Sequence, residues 1–185
     1  MTNMGKFVVM RDLSRHQQLG TTPSAGESFS VVLRSLRDPQ HMARLDAFVS
    51  AGAARATGGE VYELLSAVRG SWEQAPSHTV CAVWEVRDAT QAAAFVESRR
   101  QLFALRQQVL PTFAADWLLK HHEQEGRYMV FGFYGDEEGA TRLCREHPSI
   151  QEFAAVHPAS VYGAVDLTGL LCWRIERANP VAIRV

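Results

Sequence analysis

Cysteine is scarce: Cys81, Cys144 and Cys172 are the only three in 185 residues. They are odd in number, far apart and set among apolar neighbours. That argues against a disulfide framework and for buried thiols in a cytoplasmic protein. Lysine is scarcer still, with Lys6 and Lys120 alone. The net charge is −1 and the arginines are scattered, so the basic face of a nucleic-acid binder is missing. No apolar run approaches the ~18 residues of a membrane helix. The apolar stretch Phe7 to Met10 is too short for the core of a signal peptide. Also missing are paired-cysteine zinc spacing, a Gly-x-Ser-x-Gly elbow and a phosphate-binding glycine loop. The reading therefore assigns no metal and no cofactor, no nucleic acid and no membrane.

What is present is a globular composition, 46% apolar, enough to bury a sizeable core. Residues 1–27 read as a short strand followed by a linker rich in Gln, Gly, Thr, Ser and Pro. Phe29 to Leu36 reads as a strand. Asp38-Pro39 then has the form of a helix start, and Met42, Leu45, Phe48 and Val49 recur at helical spacing. Strands are expected at Glu60 to Val68 and His78 to Val86. A capping box at Asp88 to Gln91 opens a long helix ended by Pro111, and a strand follows at Phe113 to Lys120. That order predicts an α+β, ferredoxin-like βαββαβ unit over 28–122. A second, partial repeat is expected over 123–185, packing on the first. It holds a strand at Tyr128 to Tyr134, a helix from Asp136 broken at His147-Pro148, and a β-rich tail.

Three segments carry a family resemblance. Gly58-Gly59-Glu60-Val61-Tyr62-Glu63-Leu64-Leu65 is a glycine pair leading into a strand. Val83-Trp84-Glu85-Val86-Arg87-Asp88 is a strand ending in Trp-Glu before a helix. Arg145 to Phe153 is a His-containing helical segment. Together they resemble the antibiotic biosynthesis monooxygenase family of the dimeric α/β-barrel superfamily. The resemblance implies two sheets packed face to face, as a homodimer or an intrachain pseudo-dimer, with a cavity between sheet and helices. It implies a cofactor-independent monooxygenase acting on a small aromatic, quinol- or anthrone-like substrate. The alternatives are a non-catalytic ligand-binding or scaffold protein, and a heme binder without heme-degrading activity.

The chain departs from the family's site patterns. Val80 stands where anthrone oxygenases have Asn, and Thr90 where they have Tyr. Strand Ser30 to Leu33 lacks the Asn of the heme-degrading branch, and Gln101-Leu102-Phe103 lacks its His. The resemblance leaves Trp84 as the matched residue, whose indole N–H can orient a substrate oxygen. Tyr62 and Tyr134 are expected beside it as substrate contacts. His147, at the helix break, is the expected acid or base. His121-His122 reads as a solvated strand end. Arg99, Arg100 and Arg106 read by default as a solvated helix face, with an anion contact as the alternative.

Overall fold

The structure, a computed structural model, describes residues 5–13 and 27–178. Most of the expected linker at 14–28 falls outside them. Nine strands are described: β1 (Phe7–Leu13), β2 (Glu27–Ser35), β3 (Met42–Phe48), β4 (Glu60–Arg69), β5 (His78–Val86), β6 (Phe113–His121), β7 (Arg127–Tyr134), β8 (Ala164–Asp166) and β9 (Leu171–Ala178). Helices are α1 (Ala51–Arg55), α2 (Ala89–Val109), α3 (Cys144–Glu146) and α4 (Pro148–Val156). A π-turn (Gly139–Leu143) leads into α3, and a 3-10 turn (Ala159–Tyr162) follows α4.

Eight strands run in the order β7-β6-β4-β1-β3-β2-β9-β5, and β5 pairs back onto β7, closing an antiparallel barrel. β8 extends the edge of β5 at Trp84 to Val86. Strands β5, β6, β7 and β9 lie in the order β9-β5-β7-β6, which is the fourth-first-third-second order of a ferredoxin-like βαββαβ unit, with α2 and α3–α4 as its helices. Strands β1 to β4 repeat that order as β4-β1-β3-β2. Each half gives its fourth strand to the second strand of the other, through β4–β6 and β9–β2. The fold is thus α+β and ferredoxin-like, with both halves supplied by one chain.

This differs from the expected grouping. The range 28–122 takes strands from both halves, and β2, β4, β5 and β6 do not form one four-stranded layer. The cause is residues 42–48, read as helix and found as β3. The segment carries two periods at once. Met42, Leu45 and Phe48 fit a helix, but Ala43, Leu45 and Ala47 also alternate, and all three enter the barrel core. Pairing to β1 and β2 on both sides selects the strand. Helix is confined to the five residues of α1, capped by Ser50, whose Oγ accepts from the Ala53 N–H. The likeness between 78–103 and 127–153 is that of two βα steps within one half.

An eight-stranded barrel is just wide enough to be filled by side chains. Here the filling is Phe29, Leu33, Tyr62, Trp117, Phe131, Phe133 and Trp173 with smaller neighbours, all buried. Cys81 belongs to this core, Cys144 is buried beneath α2, and Cys172 is half-buried; all three are free thiols. Among the described residues no helix is long and apolar enough to cross a membrane.

Candidate functional site

Strand alternation sends Cys81 and Val83 of β5 into the barrel and leaves Val80, Trp84 and Val86 on its outer face. On β7 the outward set is Tyr128, Val130 and Tyr134, and on β6 it includes Asp116 and Leu118. This face is roofed by α2, which Asp88 caps by accepting from the Thr90 N–H at 2.9 Å. The helix turns Phe95, Arg99, Leu102, Phe103 and Arg106 toward the sheet, at intervals of three and four. Two of these are arginines, so the solvated helix face expected of Arg99 and Arg106 is not what forms. Arg99 and Arg106 are each 8% exposed, and Arg100 alone of the three faces solvent.

One end of this layer is aromatic. The Trp84 ring lies 6.1 Å from Phe95, which lies 5.4 Å from Tyr128. The Arg99 guanidinium sits 6.0 Å from the Trp84 ring and 5.5 Å from that of Phe95. Tyr162, on the 3-10 turn, packs into the same cluster, and its hydroxyl lies 3.1 Å from His157 Nδ1. Trp84 and Tyr162 are only partly buried, so this end meets solvent.

The other end is polar and closed. Arg106 donates to Asp116 Oδ2 at 3.1 Å and to the Cys144 carbonyl at 3.2 Å. The π-turn sets that carbonyl over the sheet; such turns widen a helix by one residue per bond. Tyr134 Oη and Asp116 Oδ1 are buried there with no partner among the described residues. Both crowd Gly132, where a Cβ would stand 2.6 Å from Asp116 Oδ1 and 3.0 Å from Tyr134 Oη. Burial pushes the Asp116 carboxyl up to about 6 against the pull of Arg106, and holds the Tyr134 hydroxyl protonated well above its ordinary range. Burial likewise pushes the Cys144 thiol up to about 11, which makes it unreactive.

The expected site residues are dispersed. Trp84 and Tyr134 share the helix-facing side, but Trp84 pairs with Tyr128, six residues from Tyr134 along β7. At about 3.3 Å per residue that is roughly 20 Å. Tyr62 is on the opposite face, inside the barrel, with its hydroxyl donating to Glu60 at 3.0 Å. His147 precedes α4 at the polar end, its Nδ1 buried without a partner among the described residues. No hydrogen bond or ring contact among the described residues joins it to Trp84. His121, expected in solvent, is 7% exposed. Its Nδ1 accepts from the Glu123 and Gln124 N–H groups at 3.1 and 2.9 Å, and its ring meets Tyr62 edge-on. With Arg55, Glu60 and Glu123 it lines an open cleft of about 380 Å³ at the end of β4 and β6. Among the described residues no group of three or more His, Cys, Asp or Glu side chains is placed to hold a metal ion.

The sequence reading did not single out Asp116 or the burial of Arg99, and it placed Tyr162 only among the strand aromatics able to line a cavity or an interface. Asp116 had one visible sign, a carboxylate inside the apolar strand Phe113 to Leu119.

No family model matches the sequence, and no curated protein matches it. Solved structures do. An anthrone oxidase-like protein superposes with a TM-score of 0.69 at 12% identity, covering 94% of this chain and 92% of that one. The heme-degrading enzyme of Listeria monocytogenes gives 0.59 at 15% identity, over 91% of this chain and 99% of that one. A ferredoxin-fold protein of the same organism, related to antibiotic biosynthesis monooxygenases, gives 0.57 at 12% identity, over 95% and 97%. Both chains in each pair are covered almost end to end, so the whole barrel matches.

The fold is that of the antibiotic biosynthesis monooxygenase-like proteins. Within this fold the α2 layer holds Trp84 together with the buried Arg99 and Arg106. In the other half the short α1 packs on Phe7, Val9, Phe48 and Val61.

Proposed function

We propose that the chain binds a small aromatic molecule at the Trp84 end of the α2 layer and oxidises it as a cofactor-independent monooxygenase-like protein. The observation that carries the reading is Trp84 itself. It is partly open to solvent on the helix-facing side of β5, among Phe95, Tyr128 and Arg99. A flat ring stacks well on such a surface, and the indole N–H supplies direction. The matching folds of an anthrone oxidase-like protein and a heme-degrading enzyme support an oxidative role for planar ligands.

In this chemistry a hydroxylated arene loses a proton to give an electron-rich anion. The anion passes one electron to O2, the radical pair combines as a peroxide anion, the base returns the proton to give the hydroperoxide, and loss of water leaves the ketone. The protein supplies orientation, a base and a partly dry surface. The pair able to take the proton at this end is Tyr162 with His157. His147, the base expected from sequence, precedes α4 at the other end, separated from His157 by the nine residues of that helix, or about 15 Å. Tyr134 belongs with it at the polar end and Tyr62 inside the barrel, so substrate contact is assigned to Trp84 alone of the three.

The test is oxygen consumption with a panel of anthrones and quinols. Turnover that Trp84→Phe lowers about tenfold, and His157→Gln lowers while His147→Gln does not, supports the reading. Binding of the same compounds without oxygen uptake supports a non-catalytic ligand-binding protein.

A further inference from the structure

Arg99 is a buried cation with no counter-ion among the described residues. It is 8% exposed. Among the described residues its one hydrogen bond runs from Nη2 to the hydroxyl of its chain neighbour Ser98, at 3.1 Å, and its Nε is buried without a partner. No carboxylate stands among the groups that act on it. Burial and the nearby Arg106 bring its pKa down to about 10, and only Tyr162 opposes them. The other arginines of α2 behave as expected of their places: Arg106 is matched by Asp116, and exposed Arg100 lies 3.9 Å from Glu97. An unmatched buried charge costs several kcal/mol even after relaxation. A glutamate or aspartate on a neighbouring element would offset that cost, and the described residues provide none. Instead the guanidinium lies beside the faces of Trp84 and Phe95, next to the partly open Tyr162.

The geometry points to an anion subsite: Arg99, with Trp84 and Tyr162, receives the charged group of a planar aromatic anion, an aryl carboxylate or phenolate. A guanidinium presents forked donors that match a carboxylate in its own plane, and the flanking rings fix that plane. The ligand completes an ion pair that the chain leaves half-made. The inference rests on the reading of the Trp84 end given above and names the charge of the molecule bound there.

The probe is 2-naphthoate, compared with the neutral and isosteric 2-naphthamide, in calorimetric titrations of the full chain. The expected result is a preference for naphthoate of about tenfold or more, the scale of one charge-assisted hydrogen-bond pair. Arg99→Met abolishes the preference while naphthamide still binds, and Arg99→Lys, which keeps the charge but not the fork, leaves part of it. Arg100→Met, on the exposed face, changes nothing. The thermal midpoint of Arg99→Met does not fall, because an unmatched buried charge has been removed; a merely structural arginine would lower it. Equal binding of the two probes, a preference that survives Arg99→Met, or binding of neither overturns the subsite. Naphthamide bound through Trp84 without preference for naphthoate overturns the subsite alone. A naphthoate preference without oxygen uptake on the anthrone panel overturns the oxidative reading alone.

Discussion

Arg106 Nη1 meets Asp116 Oδ2 at 3.1 Å across the gap between α2 and β6, and the carboxylate is wholly buried. Removing one member strands the other away from water. Arg106→Met is therefore expected to cost about 3–5 kcal/mol in urea unfolding. The double variant Arg106→Met with Asp116→Asn is expected to recover much of that loss, because no lone charge remains. A double variant as unstable as the single would show that Arg106 acts through packing and through the Cys144 carbonyl.

Gly132 sits beneath this pair. A methyl group there would press on Asp116 Oδ1 and on the Tyr134 ring and hydroxyl, with no flexible chain end to give way. Gly132→Ala is expected to lose about 1–3 kcal/mol by overpacking. Tyr134→Phe, by contrast, removes a buried hydroxyl that has no partner among the described residues, and is expected to be neutral within about 1 kcal/mol. Midpoints of chemical unfolding for the two variants check both.

His121 predicts a pH dependence. Burial lowers its pKa from the ordinary 6.5, and the two N–H groups donating to Nδ1 also favour the neutral ring. The native state therefore takes up its proton at lower pH than the unfolded chain. The stability contributed by the neutral ring is complete above about pH 6.5 and is lost as pH falls below it. The thermal midpoint is expected to drop on acidification from pH 7.5 to 5. His121→Asn keeps an acceptor for the turn without the titration and should flatten that drop. His78, whose pKa burial also lowers, leaves a residual slope.

Much of the second half was legible in the sequence because its signals agree with one another. Asp88 caps where a cap was read, α2 follows it, and β5, β6 and β7 start and stop close to their punctuation. The first half was misread where signals conflict. The run from Met42 to Phe48 satisfies both a helical and an alternating pattern, and only the strands on either side decide. The same limit hid part of the candidate site. A charged residue at an interior helix position reads as solvated face until the helix is rolled onto a sheet, and so the anion contact weighed for Arg99 and Arg106 stood second to a solvated face. Trp84 stood out in the sequence because its strand and its spacing to the following helix are local features. Its partner Tyr162 lies 78 positions along the chain and arrives through the β5–β8 pairing.

Two tryptophans separate framework from surface. Trp117 is wholly buried in the barrel, with its ring 5.4 Å from Phe29 and 4.7 Å from Phe133. Trp84 is partly open and touches one side of the α2 layer. Trp117→Ala leaves a void among aromatic neighbours that cannot collapse into it, and is expected to cost about 3–5 kcal/mol. Trp84→Phe keeps most of the packing and is expected to cost less than about 1.5 kcal/mol. Unfolding titrations of both proteins, run beside the naphthamide titration, give a clear contrast. Trp84→Phe should weaken binding with stability nearly intact. A loss of stability in Trp84→Phe comparable to that of Trp117→Ala would place Trp84 in the core and remove it from any role with a ligand.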